Sequence, residues 1–219
     1  MINGWILLIG SWLLGGIPVG VLVAKAKGVD IMSVGSGNIG ATNVARVMGK
    51  GAGLLVFVLD VMKGLVPAFW FQMIVERPIF GFGFPSQEFG LLCGGAAMAG
   101  HMASPFLKFK GGKGIATGLG MLVGSAPLVG VIALSSFIVV VAATRIVSLG
   151  SVVAAVVMAL AGIFLTPPPL FWVVYGALGF FVVWKHRANM QRLLKGEEPK
   201  FSFARKDSAQ DGGVEPSEQ

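Results

Sequence analysis

Long runs of uncharged, mostly apolar residues dominate the chain and are separated by short polar segments. The first run, residues 1–24, carries no charge. Further runs cover residues 51–75, 89–107, 114–144 and 146–184, and only the run at 51–75 contains charged residues, Asp60 and Lys63. A helix needs about 20 residues to cross the hydrocarbon core of a bilayer. Each run is therefore a candidate for one or two membrane-spanning helices.

Two of these runs are too long for a single span. The run at 146–184 is interrupted by Thr166 and the prolines at 167–169, which no helix interior tolerates, so it predicts a hairpin of two spans. The run at 114–144 has Pro127 near its middle and is longer than one span, yet it falls short of the roughly 40 residues of two full spans. Its length alone leaves six or seven spans open.

Composition excludes an ordinary soluble domain. Hydrophobic residues make up 55% of the chain, charged residues make up 12%, and the mean hydropathy is +0.82, whereas soluble domains carry about 25% charged residues. The net charge is +7, but with so few charged positions we expect membrane lipid rather than nucleic acid as the partner. The single cysteine, Cys93, excludes an internal disulfide or a cysteine-based metal site. We expect neither a metal nor a cofactor.

The placement of lysine and arginine resolves the number of spans, because cytoplasmic loops are enriched in both. With seven spans and an external N-terminus, every basic segment except Arg77 lies on the cytoplasmic side; with six, the basic C-terminal segment would lie outside. We therefore predict an all-α integral membrane protein with seven transmembrane helices, two of them short and meeting near Pro127. The membrane domain covers residues 1–200, its first span is retained rather than cleaved, and residues 201–219 form a disordered cytoplasmic tail.

Three polar segments remain, and all three fall on the predicted cytoplasmic face. In the first, glycines allow turns that aim backbone N–H groups at one point, hydroxyl and amide side chains add donors, and an arginine offers a planar fork for phosphate. An ordinary loop between two spans is the simpler alternative, but such a loop does not need so many donors beside an arginine. We favour an anion-binding loop with the candidate residues Ser36, Gly37, Asn38, Gly40, Thr42, Asn43 and Arg46.

The second segment, residues 110–117, leads into the run at 114–144 with the sequence Lys-Gly-Gly-Lys-Gly. A glycine-rich turn with a lysine at a helix N-terminus suits phosphate, through free N–H groups and the positive end of the helix dipole. It is not a nucleotide-binding P-loop, because Gly114 rather than Ser or Thr follows Lys113. Membrane anchoring is sufficient to explain Lys108 and Lys110. The candidate binding residues are Gly111, Gly112, Lys113 and Gly114.

The third segment, residues 186–194, follows the last span directly. His186 and Asn189 lie three positions apart, so a helical extension places them on one face, where both can meet one substrate. A single histidine at a membrane boundary is more often an interfacial residue than a catalyst. Its position beside the other two segments is what favours a catalytic role.

Five further polar residues have two interpretations each. Asp60 and Lys63, three positions apart inside a span, are either functional or an ion pair that stabilises the bundle. For His101, near the end of the third run, packing or backbone capping is slightly favoured over function. Ser148 and Ser151 either donate hydroxyls into the same pocket or cap a helix.

A basic, phosphate-binding pocket at the membrane surface fits two functional classes. A transporter of an organic phosphate needs polar residues near the midplane of the membrane, where the third, fourth and fifth spans supply none and the second supplies only Asp60 and Lys63. A membrane enzyme that joins a soluble phosphate compound to an acyl group fits better.

The three segments resemble the motifs of the bacterial acyl-phosphate:glycerol-3-phosphate acyltransferase family, in the same order and spacing. The matching stretches are SGNIGATNVAR (36–46), GHMASPFLKFKGGKGIAT (100–117) and HRANMQRLLKGEE (186–198). Segments 60–64 and 145–151 match as well, and the resemblance ends at about residue 199. The family's expected architecture, a seven-helix bundle with an external N-terminus, agrees with the predicted topology.

The resemblance implies transfer of a fatty acyl group from acyl phosphate to the sn-1 hydroxyl of glycerol-3-phosphate. The products are 1-acylglycerol-3-phosphate (lysophosphatidic acid) and phosphate, in the first acylation step of bacterial phospholipid synthesis. By resemblance, Ser36, Arg46 and Lys113 hold the phosphate of glycerol-3-phosphate, with Ser151 as a helper. His186 and Asn189 are catalytic residues that address the glycerol hydroxyls, and the glycine-rich loops receive the acyl phosphate.

Location, partner and donor also follow from the resemblance. It implies a multi-pass protein of the bacterial cytoplasmic (inner) membrane with its active site facing the cytoplasm, in transient contact with the soluble acyltransferase that makes acyl phosphate. Acyl-CoA is not the expected donor, because no His and Asp lie five residues apart in this chain. The proton acceptor is either His186 or the donor's own phosphate. The second is motivated by the lack of any carboxylate that the sequence places clearly in the pocket.

Overall fold

The computed structural model describes residues 2–77, 86–166 and 170–200. Over these residues the chain forms ten α-helices, a short 3-10 helix at Pro105–Leu107, and one parallel pairing between β1 (Ile2–Asn3) and β2 (Val75–Arg77). The tail at 201–219 and the prolines at 167–169 lie outside the described residues. The helices are α1 (Gly4–Gly16), α2 (Val19–Lys25), α3 (Ala41–Met48), α4 (Lys50–Ile74), α5 (Ser86–Met102), α6 (Ile115–Ser125), α7 (Pro127–Thr144), α8 (Val147–Leu165), α9 (Leu170–Lys185) and α10 (Arg187–Leu194).

The predicted helical membrane architecture is confirmed. Within the described residues, four helical segments are long and apolar enough to cross a membrane, namely Gly4–Lys25, Lys50–Ile74, Pro127–Thr144 and Val147–Leu165. Helices α6 and α9 are shorter apolar helices, and α5 has 17 residues. Large apolar side chains face outward, as at Phe164, which is 81% exposed, and Val139, which is 66% exposed. The total of seven spans and the orientation of the termini stay predictions.

Two predicted spans differ in detail from the structure. The first span is not one helix but two, α1 and α2, because Pro18 has no N–H to continue the helical hydrogen bonding and the chain breaks at Ile17 and Pro18. The third ends early: α5 stops at Met102, and Pro105 begins a separate 3-10 turn instead of extending the helix to residue 107.

The predicted break near Pro127 is present, but only one of the two helices that meet there is short. Helix α6 has 11 residues and α7 has 18, with the break at Ala126. At 1.5 Å per residue, α6 is roughly 16 Å long and too short to cross the hydrocarbon core by itself. It packs closely on α4 because Gly120 and Gly124 bring the two backbones together: a Cβ at Gly124 would lie 2.8 Å from the Cβ of Ala68.

Of three apolar clusters among the described residues, two hold the bundle and the site loops in place. The larger is built from residues of α5 to α9 and includes the buried Met98, Met121 and Tyr175. The smaller packs the loop between α2 and α3 against α4 through Ile31, Val44 and related residues. The loops that carry the predicted site residues are therefore fixed to the bundle by buried apolar side chains.

Candidate active site

The three predicted polar segments meet around one cavity. Its volume is about 430 Å³, and it is bounded by the loop before α3, the start of α6, the start of α8 and the segment from His186 to Pro199. Of the residues predicted from sequence, those that line it are Ser36, Asn38, Gly40, Thr42, Asn43, Arg46, Lys113, Gly114, Ser151, His186 and Asn189.

The loop before α3 is organised by the side chain of Asn43. Its Oδ1 accepts a hydrogen bond from the Ser36 N–H at 2.8 Å, and its Nδ2 donates to the carbonyl of Asn38 at 2.9 Å and to two further loop carbonyls. Asn38 in turn accepts from the Gly40 N–H at 2.8 Å. Asn43 is 2% exposed, and its amide is bonded to the backbone of its own loop. This network fixes the loop in the conformation that brings Ser36 to the cavity.

Lys113 extends from the glycine-rich loop to the third segment. Its ammonium donates to the side-chain oxygen of Asn189 at 2.5 Å. The pKa of Lys113 is lowered to about 8, first because burial disfavours the charged form and then because Arg192 and Arg46 repel it, while Glu198 acts in the opposite direction. Lys113 therefore loses its proton at a lower pH than an exposed lysine does.

His186 stands at the joint between α9 and α10. Its Nδ1 lies 2.8 Å from the carbonyl oxygen of Val182, and because a carbonyl only accepts hydrogen bonds, Nδ1 carries the proton. Burial, reinforced by the charge of Lys113, lowers the pKa of His186 to about 4. The imidazole is accordingly neutral at pH 7, with a lone pair on Nε2.

A carboxylate also lines the cavity, which corrects the expectation from sequence. Glu198 accepts hydrogen bonds from Ser148 Oγ at 2.7 Å, from Asn189 Nδ2 at 2.6 Å and from Arg192 Nε at 2.9 Å. Burial raises the pKa of Glu198, but these hydrogen bonds and the charge of Arg192 outweigh it, so the pKa lies below its ordinary value. Glu198 is thus an ionised group that holds Asn189 on one side and α8 on the other.

Sequence reasoning missed Glu198 although it falls inside the third matching stretch. A glycine soon after a predicted helix, here Gly196, is the sequence feature that could have indicated it. In the structure Gly196 has a φ of +73°, so the chain turns back after α10 and Glu198 reaches the cavity. Ser148 was assigned to the pocket or to a helix cap. It lies within α8, bonds to Glu198 and lines the cavity, while Ser151 donates to the carbonyl of Val147 at 2.9 Å.

Three predicted binding residues lie outside the cavity wall. Gly37, with a φ of +68°, forms a turn in the first loop. Gly111 and Gly112 pack against the end of α5, where the Gly112 N–H donates to the carbonyl of His101 at 3.0 Å. Their position gives them a part in shaping the loop, and contact with a substrate stays a prediction for all three.

The two intramembrane charges form an ion pair. Lys63 Nζ lies 2.9 Å from Asp60 Oδ1 and also donates to the carbonyl of Ile17 at 3.0 Å. Asp60 and His101 both line the cavity. Among the residues that the structure describes, no three His, Cys, Asp or Glu side chains are grouped so as to hold a metal ion.

Comparison with known proteins identifies the family. The family model described as glycerol-3-phosphate acyltransferase matches residues 5–196. The chain belongs to the glycerol-3-phosphate acyltransferase family. It is therefore a membrane-embedded acyltransferase, which confirms the predicted enzyme class over the transporter alternative.

Relatives and solved structures of the glycerol-3-phosphate acyltransferase family match almost the whole chain. The glycerol-3-phosphate acyltransferase of Geobacter sulfurreducens is 43% identical over 201 residues, 92% of this chain and 99% of the relative. That of Desulforudis audaxviator is 45% identical over 207 residues, 90% of this chain and 96% of the relative.

Two crystal structures of PlsY (YgiH), an integral membrane glycerol 3-phosphate acyltransferase, are similar to this protein. The glycerol 3-phosphate form has a TM-score of 0.82, and the lysophosphatidic acid form has a TM-score of 0.79, each at 37% identity. The matches cover 91% of this chain and 96% and 95% of the PlsY chains, respectively. The membrane-embedded fold is thus shared over nearly the full length.

Proposed function

We propose that this acyltransferase transfers a fatty acyl group from acyl phosphate to the sn-1 hydroxyl of glycerol-3-phosphate, giving 1-acylglycerol-3-phosphate and phosphate. The observation that carries the proposal is the composition of the cavity where the three polar segments meet. Cationic and hydrogen-bonding side chains occupy part of its wall, and apolar side chains, including Phe57, Phe137 and Val141, occupy another part. Such a wall suits a substrate pair of which one is a polar phosphate and the other an acyl chain.

The phosphate of glycerol-3-phosphate is held by Ser36, Arg46 and Lys113. All three line the cavity: Ser36 lies in the loop before α3, Arg46 in α3 and Lys113 in the loop before α6. Arginine matches the oxygens of a phosphate with two parallel N–H groups, while lysine acts as a point charge. Ser151, which also lines the cavity and is 2% exposed, is a helper at its inner wall.

The glycerol hydroxyls are addressed by His186 and Asn189. With Nδ1 donating to Val182, the Nε2 lone pair of His186 accepts a hydrogen bond from a hydroxyl. A pKa of about 4 makes this imidazole a weak base, since an efficient general base has a pKa near the working pH. This favours an orienting role for His186 and leaves the proton to the phosphate of the donor.

The reaction then needs no covalent enzyme intermediate. The sn-1 oxygen forms a bond to the carbonyl carbon of the acyl phosphate, the bond from that carbon to the phosphate oxygen breaks, and the hydroxyl proton passes to the departing phosphate. The chain's own contribution is positioning and charge: Lys113, Arg46 and the N–H groups at the start of α6, next to Gly114, stabilise the negative charge of the two phosphates.

The membrane arrangement forms part of the same proposal. Seven spans with an external N-terminus place the cavity on the cytoplasmic face of the bacterial inner membrane, where glycerol-3-phosphate is dissolved and a soluble acyl-phosphate-forming acyltransferase has access. Protease treatment of sealed vesicles tests this: the tail at 201–219 is cleaved only when the cytoplasmic face is accessible. Cleavage from the external face would contradict the seven-span arrangement.

A donor comparison tests the proposed reaction. Purified protein in detergent receives glycerol-3-phosphate with either palmitoyl phosphate or palmitoyl-CoA, and lysophosphatidic acid and phosphate are quantified. We expect one phosphate released per lysophosphatidic acid with palmitoyl phosphate and no product with palmitoyl-CoA. Product formed only from palmitoyl-CoA would overturn the donor assignment while leaving the family unchanged.

A further inference from the structure

A buried polar cluster lies beside the glycine-rich loop and consists of Lys63, Asp60 and His101. The three residues are 6%, 1% and 5% exposed, respectively. Lys63 is paired with Asp60 at 2.9 Å, and Asp60 Oδ1 lies 3.8 Å from Nδ1 of His101. Through the bond from Lys63 to the carbonyl of Ile17, the cluster joins the break of the first span to α4 and α5.

His101 contacts the glycine-rich loop with both its backbone and its side chain. Its carbonyl oxygen accepts the Gly112 N–H at 3.0 Å. Its imidazole packs directly on Gly112, so closely that a Cβ at position 112 would overlap Nε2. The loop therefore rests on this imidazole.

Gly111 makes a different contact with the same end of α5. A Cβ at position 111 would overlap the His101 carbonyl oxygen and would lie 2.7 Å from the carbonyl carbon of Met102. Those are backbone atoms, which cannot turn away, whereas the obstacle at Gly112 is a side chain. The two glycines thus form a matched pair, of which only one faces the His101 ring.

Lys113 follows this pair directly and places its ammonium 2.5 Å from Asn189. We propose that His101 is a positioning residue: its imidazole, packed against Gly112, sets the position of the Gly111–Lys113 turn and with it the position of the Lys113 ammonium in the cavity. Burying charged groups is costly unless they are paired. Here Lys63 and Asp60 are paired with each other, and His101 beside them is the member of the cluster that contacts the loop. The inference rests on the proposed role of Lys113 in binding phosphate.

A suppression experiment on the full-length protein tests the inference. The variants are Gly112→Ala and Gly111→Ala, each alone and combined with His101→Ala, together with His101→Ala alone. For each, KM for glycerol-3-phosphate, kcat and the thermal unfolding midpoint are measured in detergent. We expect His101→Ala to raise KM at least fivefold with less than a twofold change in kcat and a midpoint close to that of the unmodified protein.

The combined variants give the decisive result. Gly112→Ala alone should lose at least tenfold in kcat/KM, and adding His101→Ala should restore it to the level of His101→Ala, because the obstructing ring is gone. Gly111→Ala should not be restored, because its obstacle is backbone. If the double variant at 101 and 112 is no more active than Gly112→Ala, or if His101→Ala keeps the original KM, His101 does not position the loop.

Two further variants keep the test unambiguous. Should His101→Ala not yield folded protein, His101→Ser opens the same space and replaces it in every arm. Lys113→Met reports on the proposed function separately: an unchanged KM for glycerol-3-phosphate there would refute the phosphate role of Lys113. The suppression of Gly112→Ala in kcat/KM would still decide whether His101 sets the loop.

Discussion

The Lys113 ammonium and the Asn189 side-chain oxygen are hydrogen-bonded at 2.5 Å across 76 positions of sequence. The amide of the same Asn189 donates to Glu198 at 2.6 Å, so a single side chain joins the cation of one loop to the carboxylate of another segment. Asn189 is 8% exposed. The arrangement gives the proposed phosphate site and the proposed glycerol site a shared support.

Replacing Asn189 by Ala should therefore damage both sites. A hydrogen bond to a charged group contributes about 1.5–3 kcal/mol, so we expect kcat/KM for glycerol-3-phosphate to fall by roughly 10-fold to 100-fold. Steady-state kinetics on Asn189→Ala and on Ala188→Gly, a change at the exposed neighbouring position, measure the loss. Equal activity of the two variants would show that Asn189 supports neither site.

The pKa of Lys113 predicts the alkaline limb of activity. In the proposed reaction the charged form of Lys113 binds phosphate, and burial lowers the pKa of this lysine to about 8, so kcat/KM for glycerol-3-phosphate should fall as the pH rises through that value. In Lys113→Arg the cation stays protonated to above pH 12, and the limb should disappear. Profiles between about pH 6 and pH 9.5 decide this, and an identical limb in both proteins would assign the titration to another group.

His186→Gln separates orientation from proton abstraction. Because the pKa of His186 is about 4, we expect KM for glycerol-3-phosphate to rise while kcat stays within about tenfold. Loss of a general base typically costs about 100-fold to 10,000-fold in rate. A loss of that size in kcat, with KM unchanged, would make His186 the proton acceptor.

The charge of Glu198 should matter for both stability and activity. Glu198→Gln keeps the size of the side chain but weakens its contacts with Arg192 and Asn189, so we expect a thermal midpoint lower by several degrees and at least a tenfold loss in kcat/KM. The matched control is Glu197→Gln at the exposed neighbouring position. If the two variants behave alike, the hydrogen bonds of Glu198 are dispensable.

Arg46→Ala tests the first polar segment, which continues into α3. Arg46 lines the cavity and contributes to lowering the pKa of Lys113, so its loss should raise KM for glycerol-3-phosphate by at least tenfold. Arg187→Ala is the control, since Arg187 lies over the ring of Trp184 at 4.6 Å and does not line the cavity. An unchanged KM in Arg46→Ala would remove Arg46 from the phosphate site.

Local apolar runs predicted the helices, and the distribution of lysine and arginine among the loops predicted that the three polar segments meet. The apolar runs define α4 and α7 to α9, and Pro127 marks the start of α7. Pro18 likewise marks a helix break, but the uncharged run at residues 1–24 predicted a single span across it. Pro67, by contrast, lies within α4 without ending it, so the position of a proline in an apolar run does not by itself fix a helix end.

The part of the site that could not be predicted depends on contacts between distant residues. Glu198 bonds to Ser148, 50 positions away, and reaches it only because the chain reverses at Gly196. Asn43 was predicted to meet substrate, yet its amide is used within its own loop. Residue type indicated that these positions are polar and close to the site, but only the fold shows which partner each one has.

The most direct test of the account compares two lysines of the glycine-rich segment. Lys113→Met and Lys110→Met are assayed for lysophosphatidic acid formation from palmitoyl phosphate and glycerol-3-phosphate; Lys110 is exposed and does not line the cavity. We predict at least a 100-fold lower kcat/KM for glycerol-3-phosphate in Lys113→Met and a change of less than twofold in Lys110→Met. Equal activity of the two variants would contradict acyl transfer at this cavity.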